Sequence, residues 1–126
     1  MQFQWTAWAT LAALMLCLWT MYRVGKARAA HKVSAPAVDG PPEFLRVLRV
    51  QVNTIEQMTL FLPALWLCAW VLSDRWAAAA GAIWVTGRIV YALGYYREAA
   101  KRSAGFGLSL FATSALMLGT VVGLLR

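Results

Sequence analysis

Four stretches of this sequence are apolar and long enough to cross a lipid bilayer as helices, and little chain is left over. Trp5 to Tyr22 and Ser103 to Leu125 carry no charge. Val50 to Leu72 carries only Glu56, and Trp76 to Tyr96 carries only Arg88. A soluble chain of this size needs a polar exterior. With 61% hydrophobic and 13% charged residues over 126 positions, this one cannot build it. A soluble enzyme and a nucleic-acid-binding protein are thereby excluded. The expected fold is all-α: a single integral membrane four-helix bundle with up-down topology.

The connections set the expected helices at about 4–32, 42–73, 76–101 and 104–125. Proline and glycine between Ser34 and Pro42 stop the first helix. Asp39 or Gly40 is expected to cap the second, with a proline in its first turn and Glu43 near the positive end of its dipole. Ser73-Asp74-Arg75 reads as a tight turn. Trp5 to Tyr22 lacks a preceding basic region, so it reads as a retained helix rather than a signal peptide. Pro63 predicts a local kink. Gly119/Gly123 and Ala77/Gly81 have the spacing of close helix approach. Cys17 and Cys68 both lie in apolar runs and read as small buried hydrophobes.

An even number of spans places nine basic residues at one membrane face: Arg23, Lys26, Arg28, Lys32, Arg46, Arg49, Arg97, Lys101 and Arg102. The positive-inside rule makes that face cytoplasmic and both termini non-cytoplasmic. Trp5, Trp8, Trp70 and Trp76 then gather at the opposite boundary as an aromatic belt.

Polar residues within the spans carry the functional signal, because intramembrane charge is costly and must face protein or a cavity. At 100° per residue, Arg46, Arg49, Asn53 and Glu56 share an arc of roughly 80° on the second helix. Arg88, Tyr91, Tyr95, Glu98 and Arg102 share a similar arc on the third. Glu56 and Arg88 fall near the midplane and are expected to pair. The whole predicts a cationic, hydrogen-bonding cleft in the basic half of the bundle, suited to a small anionic ligand such as a carboxylate. A Glu–Arg packing pair with tyrosines at the headgroup level is the simpler alternative. No metal cluster, glycine-rich phosphate loop or catalytic triad is present.

The run Gly40-Pro41-Pro42-Glu43-Phe44, followed by Arg46, Arg49, Gln51, Asn53 and Glu56, resembles the second helix of the MAPEG family. The name denotes membrane-associated proteins in eicosanoid and glutathione metabolism. Gly87 to Tyr96, followed by Lys101-Arg102-Ser103, is similar to its third helix. The branches most resembled are leukotriene C synthase and the third type of microsomal glutathione transferase. The resemblance implies a homotrimer with a glutathione site at each subunit interface and no metal. By position, Arg49, Asn53, Glu56, Tyr91 and Tyr95 would hold glutathione, the co-substrate. Arg102 would stabilise its thiolate, and Arg28 and Gln51 would come from the neighbouring subunit. Arg88 would be structural, ion-paired with a buried acid. Ala29, Gln57 and Ser114 depart from the leukotriene branch, which shifts the expectation away from a leukotriene substrate.

The implied activity is conjugation of glutathione to lipophilic electrophiles, with peroxidase activity on lipid hydroperoxides as a second outcome of the same thiolate. The partners implied are glutathione, the lipophilic substrate, membrane lipid and further copies of the chain. Residue usage favours a bacterial inner membrane over the endoplasmic reticulum. Two rival classes are a non-enzymatic lipid-binding member of the family and a small proton-coupled exporter using Glu56.

Overall fold

The computed structural model describes residues 1–126 and contains four long antiparallel helices. They are α1 (Gln4–His31), α2 (Pro42–Val71), α3 (Asp74–Arg97) and α4 (Ser103–Leu125), with a 3-10 turn, Ala99–Arg102, leading into α4. All four helical segments are long and apolar enough to span a bilayer. The chain is an integral membrane protein with the expected four-helix architecture.

Helix α1 ends where Lys32 turns left-handed (φ 56°) and the Val33 N–H donates to the Arg28 carbonyl at 3.0 Å. The cap of α2 is neither Asp39 nor Gly40. Extended Pro41 occupies that position, with no side-chain cap, and Pro42 opens the helix. Its fixed φ suits a first turn whose N–H groups need no helical partner. Helix α2 continues through Pro63 to Val71. Ser73 is less a turn than a cap: its Oγ accepts from the Trp76 N–H at 3.3 Å, and Asp74 and Arg75 are already helical.

Asp74 also caps a different helix. Its carboxylate accepts from the Trp5 N–H (3.1 Å), the Thr6 N–H (2.8 Å) and the Thr6 hydroxyl (2.7 Å). Three donors on one carboxylate satisfy the open first turn of α1, where negative charge also suits the dipole. The pairing spans nearly seventy residues, so no local pattern reveals it.

The third helix stops at Arg97 rather than near 101. Glu98 is extended, and the chain doubles back through the 3-10 turn. Gly94 makes the reversal possible: a Cβ there would overlap the Lys101 carbonyl. Glu98 and Arg102 therefore leave the arc that an unbroken helix would give them.

Helix packing rests on small residues, since lipid is as apolar as a core and close fit has to supply the association. The tightest crossing joins α3 to α4. A Cβ on Gly105 would overlap the Tyr91 backbone, and one on Gly87 would lie 2.9 Å from the Ser109 nitrogen. Gly123 abuts the Val71 backbone, Gly119 meets Cys68, and Gly81 meets Ala9, so both predicted small-residue pairs lie at helix contacts. In the centre, Phe61 and Trp84 stack at 4.0 Å with nearly parallel rings. Trp5, Trp8, Trp70 and Trp76 are all exposed at the end where α1 and α3 begin and α2 finishes.

Three outcomes follow. Gly105→Val lowers the thermal midpoint in detergent by several degrees, because overpacking against backbone costs about 1–3 kcal/mol. Gly25→Ala, with open space around its Cα, leaves the midpoint unchanged or raises it. Asp74→Ala speeds amide hydrogen exchange at Trp5 and Thr6 while α4 amides keep their protection; unchanged exchange at Thr6 would contradict the capping role.

Candidate functional site

The reversal after α3 brings Arg102 back over Tyr95, its guanidinium carbon 5.7 Å from the ring centre. The Arg102 Nη1 donates to the Ala99 carbonyl at 2.7 Å, which holds the side chain against its own turn. Facing it across a cleft of about 570 Å³ stand Arg49 and Asn53 of α2. Tyr91 and Tyr95 form the α3 wall, with rings edge-to-face at 5.5 Å. The first turns of α4 close the cleft with Ser103, Phe106 and Gly107. Sequence reasoning missed these three. Helix α4 has no charged side chain to flag, and its place here depends on the Gly87–Gly105 contact. Smaller, mostly apolar hollows lie elsewhere on the surface, and only this one gathers cations, phenols and an amide.

Beneath the cleft lies Arg88, 1% exposed. Its Nη2 donates to Asn53 Oδ1 at 2.8 Å and to Thr54 Oγ1 at 3.2 Å. Its Nη1 donates to Ser109 Oγ at 3.4 Å. The Tyr91 ring sits 4.0 Å from the guanidinium carbon. Helices α2, α3 and α4 thus meet on one side chain. A guanidinium only donates, so the Asn53 oxygen must face it and the Asn53 NH₂ is turned to the remaining space.

The expected Arg88–Glu56 ion pair does not form within the subunit. The chain's one ion pair is Lys101–Glu98 at 3.9 Å. Asn53 and Thr54 take the α3-facing side of α2, and Glu56 is rotated roughly 110° from their mean direction. Glu56 is exposed and does not line the cleft. Gln51 likewise stays outside it. Arg28 binds the loop after α1, its Nη1 donating to the Ala37 carbonyl at 2.7 Å, and packs over Phe44. Of the eight predicted site residues, the subunit therefore brings together Arg49, Asn53, Tyr91, Tyr95 and Arg102, and keeps Arg28, Gln51 and Glu56 apart from them.

The cleft has two guanidinium groups and no carboxylate in its lining. It opens at the basic end of the bundle. Such a site attracts an anion, offers two phenols and an amide for hydrogen bonds, and lies next to the apolar phase.

The MAPEG family model matches residues 6–122. An uncharacterized protein of Synechocystis sp. is 46% identical over 121 residues, covering 96% of this chain and 88% of that protein. Microsomal glutathione S-transferase 2 of Homo sapiens is 38% identical over 92% of this chain and 80% of its own length. Leukotriene C4 synthase of Cavia porcellus is 39% identical, with 94% and 79% covered. With nearly the whole chain matched, and with the four-helix membrane bundle in place, this protein belongs to the MAPEG family.

Proposed function

We propose that this chain is a membrane-bound glutathione transferase that conjugates the glutathione thiolate to lipophilic electrophiles. The observation that carries the reading is the cleft in which Arg49 and Arg102 face each other across Asn53, Tyr91 and Tyr95. Relatives named glutathione S-transferase and leukotriene C4 synthase support it.

Glutathione brings two carboxylates, one ammonium and a thiol. Arg49, the Asn53 NH₂ and the two phenols suit the carboxylates and peptide groups. Arg102 suits the sulfur. A free thiol has a pKa of about 8.5, so the thiolate is scarce at neutral pH. A guanidinium donating into a partly dehydrated site favours the thiolate and lowers that pKa. The thiol proton leaves to water. The sulfur then bonds to the electrophilic carbon while a leaving group departs, or an adjacent atom takes up a proton. With a lipid hydroperoxide, the same thiolate attacks the outer peroxide oxygen, the O–O bond breaks and the alkoxide leaves as the alcohol after taking a proton from water. A second glutathione then displaces water from the sulfenic acid to give the disulfide.

Glu56 argues for a completed site in an oligomer. An exposed carboxylate on a membrane helix must be covered by protein, ligand or water. In a trimer, the neighbouring subunit's surface, carrying its own Arg28 and Gln51, would close the cleft. Glu56 would then meet the ammonium of glutathione. Positive charge at the cleft mouth supports a cytoplasmic orientation for that face.

Three outcomes test this. Arg102→Ala lowers kcat with a generic electrophile at least tenfold and leaves the glutathione KM within about threefold; unchanged turnover removes the assigned role. Arg49→Ala weakens glutathione binding by about tenfold or more, as loss of a charge-assisted hydrogen bond costs about 1.5–3 kcal/mol. Arg88→Met acts through Asn53: its amide is freed to turn, so the glutathione KM rises while kcat changes little. A fall in kcat alone would contradict a positioning role for Arg88.

A further inference from the structure

A second cationic group lies outside the glutathione cleft, at the basic end of the seam between α1 and α3. Arg23 stacks on the Tyr96 ring at 4.2 Å and lies 5.8 Å from the Trp19 ring. Trp19 and Tyr96 meet edge-to-face at 5.9 Å. The Arg23 guanidinium makes no hydrogen bond or ion pair in the chain, so its donors are free. The Tyr96 hydroxyl is buried and also has no partner. Arg46 reaches the same residue from α2, its Nε donating to the Tyr96 carbonyl at 3.4 Å. No carboxylate answers this charge, as the one ion pair is Lys101–Glu98.

An apolar groove of about 310 Å³ begins at Trp19 and runs away from that cluster. Its walls are Met15, Leu16 and Trp19 of α1 and Val85, Ile89 and Leu93 of α3. Arg23 is one turn beyond Trp19, and Tyr96 is one turn beyond Leu93, so the cations cap the groove directly. From Val85 to Tyr96 the helix rises about 16 Å. One leaflet of a bilayer's hydrocarbon core is about 15 Å thick. A groove the depth of one leaflet, wholly apolar along its length and cationic at the headgroup level, has the charge and shape of a phospholipid's complement.

We propose that the α1–α3 groove binds one phospholipid with an anionic headgroup from the leaflet at the basic end. An acyl chain lies between Trp19, Ile89 and Leu93, and the headgroup phosphate accepts from the free donors of Arg23, which Tyr96 holds in place. The guanidinium stays stacked on Tyr96 while its edge donates, a geometry a planar cation allows and an ammonium does not. The site is distinct from the glutathione cleft, which is lined by other residues of α2, α3 and α4.

The test uses the whole protein, stripped of lipid in detergent and titrated with phosphatidylglycerol or phosphatidylcholine of the same acyl chains. Native mass spectrometry counts bound lipid and chains per particle. Wild type is expected to retain phosphatidylglycerol about fivefold better or more, from about 1 kcal/mol per basic residue near a membrane surface. Arg23→Gln brings retention down to the phosphatidylcholine level, whereas Arg97→Gln, an exposed cation at the same end, keeps the preference. Leu93→Trp fills the groove and reduces retention of both lipids. Preserved preference in Arg23→Gln, or equal loss in Arg97→Gln, would overturn the proposal. If Arg23→Gln does not fold by circular dichroism, Leu93→Trp decides: unchanged lipid counts overturn it. Unchanged lipid counts with loss of self-association would assign the groove to a second copy of the chain and overturn it too.

Discussion

A guanidinium at the junction of apolar helices imposes conditions on everything around it. Arg88 cannot give up its proton cheaply and cannot be left without acceptors. No carboxylate answers it within the subunit, so neutral oxygens from α2 and α4 do: Asn53, Thr54 and Ser109. That requirement fixes the rotation of α2 and the height of α4. It also turns the Asn53 amide so that its NH₂ is free. The Tyr91 ring completes the shell at 4.0 Å. The cleft above is the upper surface of this cluster, and its polarity is a consequence of what holds the three helices together.

Close approach of α3 and α4 is the second condition. Gly87 and Gly105 let the two backbones meet, which places Ser109 within reach of Arg88 and Phe106 beside Tyr91. Gly94 then permits the sharp reversal that swings Arg102 back over Tyr95. Three positions without side chains thus assemble a site made of long ones. In a membrane this is the economical arrangement, because the outward faces can remain apolar and the association must come from fit.

Much of this was legible in the sequence for a physical reason. Charge and hydropathy respond to the bilayer itself, so spans, the basic end and the tryptophan end follow from position alone. Periodicity placed Arg49, Asn53, Tyr91 and Tyr95 together, since both helices are regular there. What failed did so where tertiary contact overrides local pattern. Glu56 shares the polar arc of α2 but not the edge that meets α3, so the expected ion pair is replaced by Asn53 and Thr54. Arg102 reaches the cleft by a chain reversal rather than along an extended helix. Asp74 read as part of a turn, yet its three donors belong to α1. Ser103, Phe106 and Gly107 carry no chemical signal in the sequence and enter the site only through packing.

The proposed function rests on glutathione binding in the Arg49–Arg102 cleft with its thiolate favoured. Calorimetric titration of the purified protein with glutathione, read alongside thiolate absorbance near 240 nm across a pH series, tests it most directly. Saturable binding is expected, with the bound thiol ionising well below the free value of about 8.5. Absence of binding at millimolar glutathione, or binding with an unshifted thiol, would contradict it.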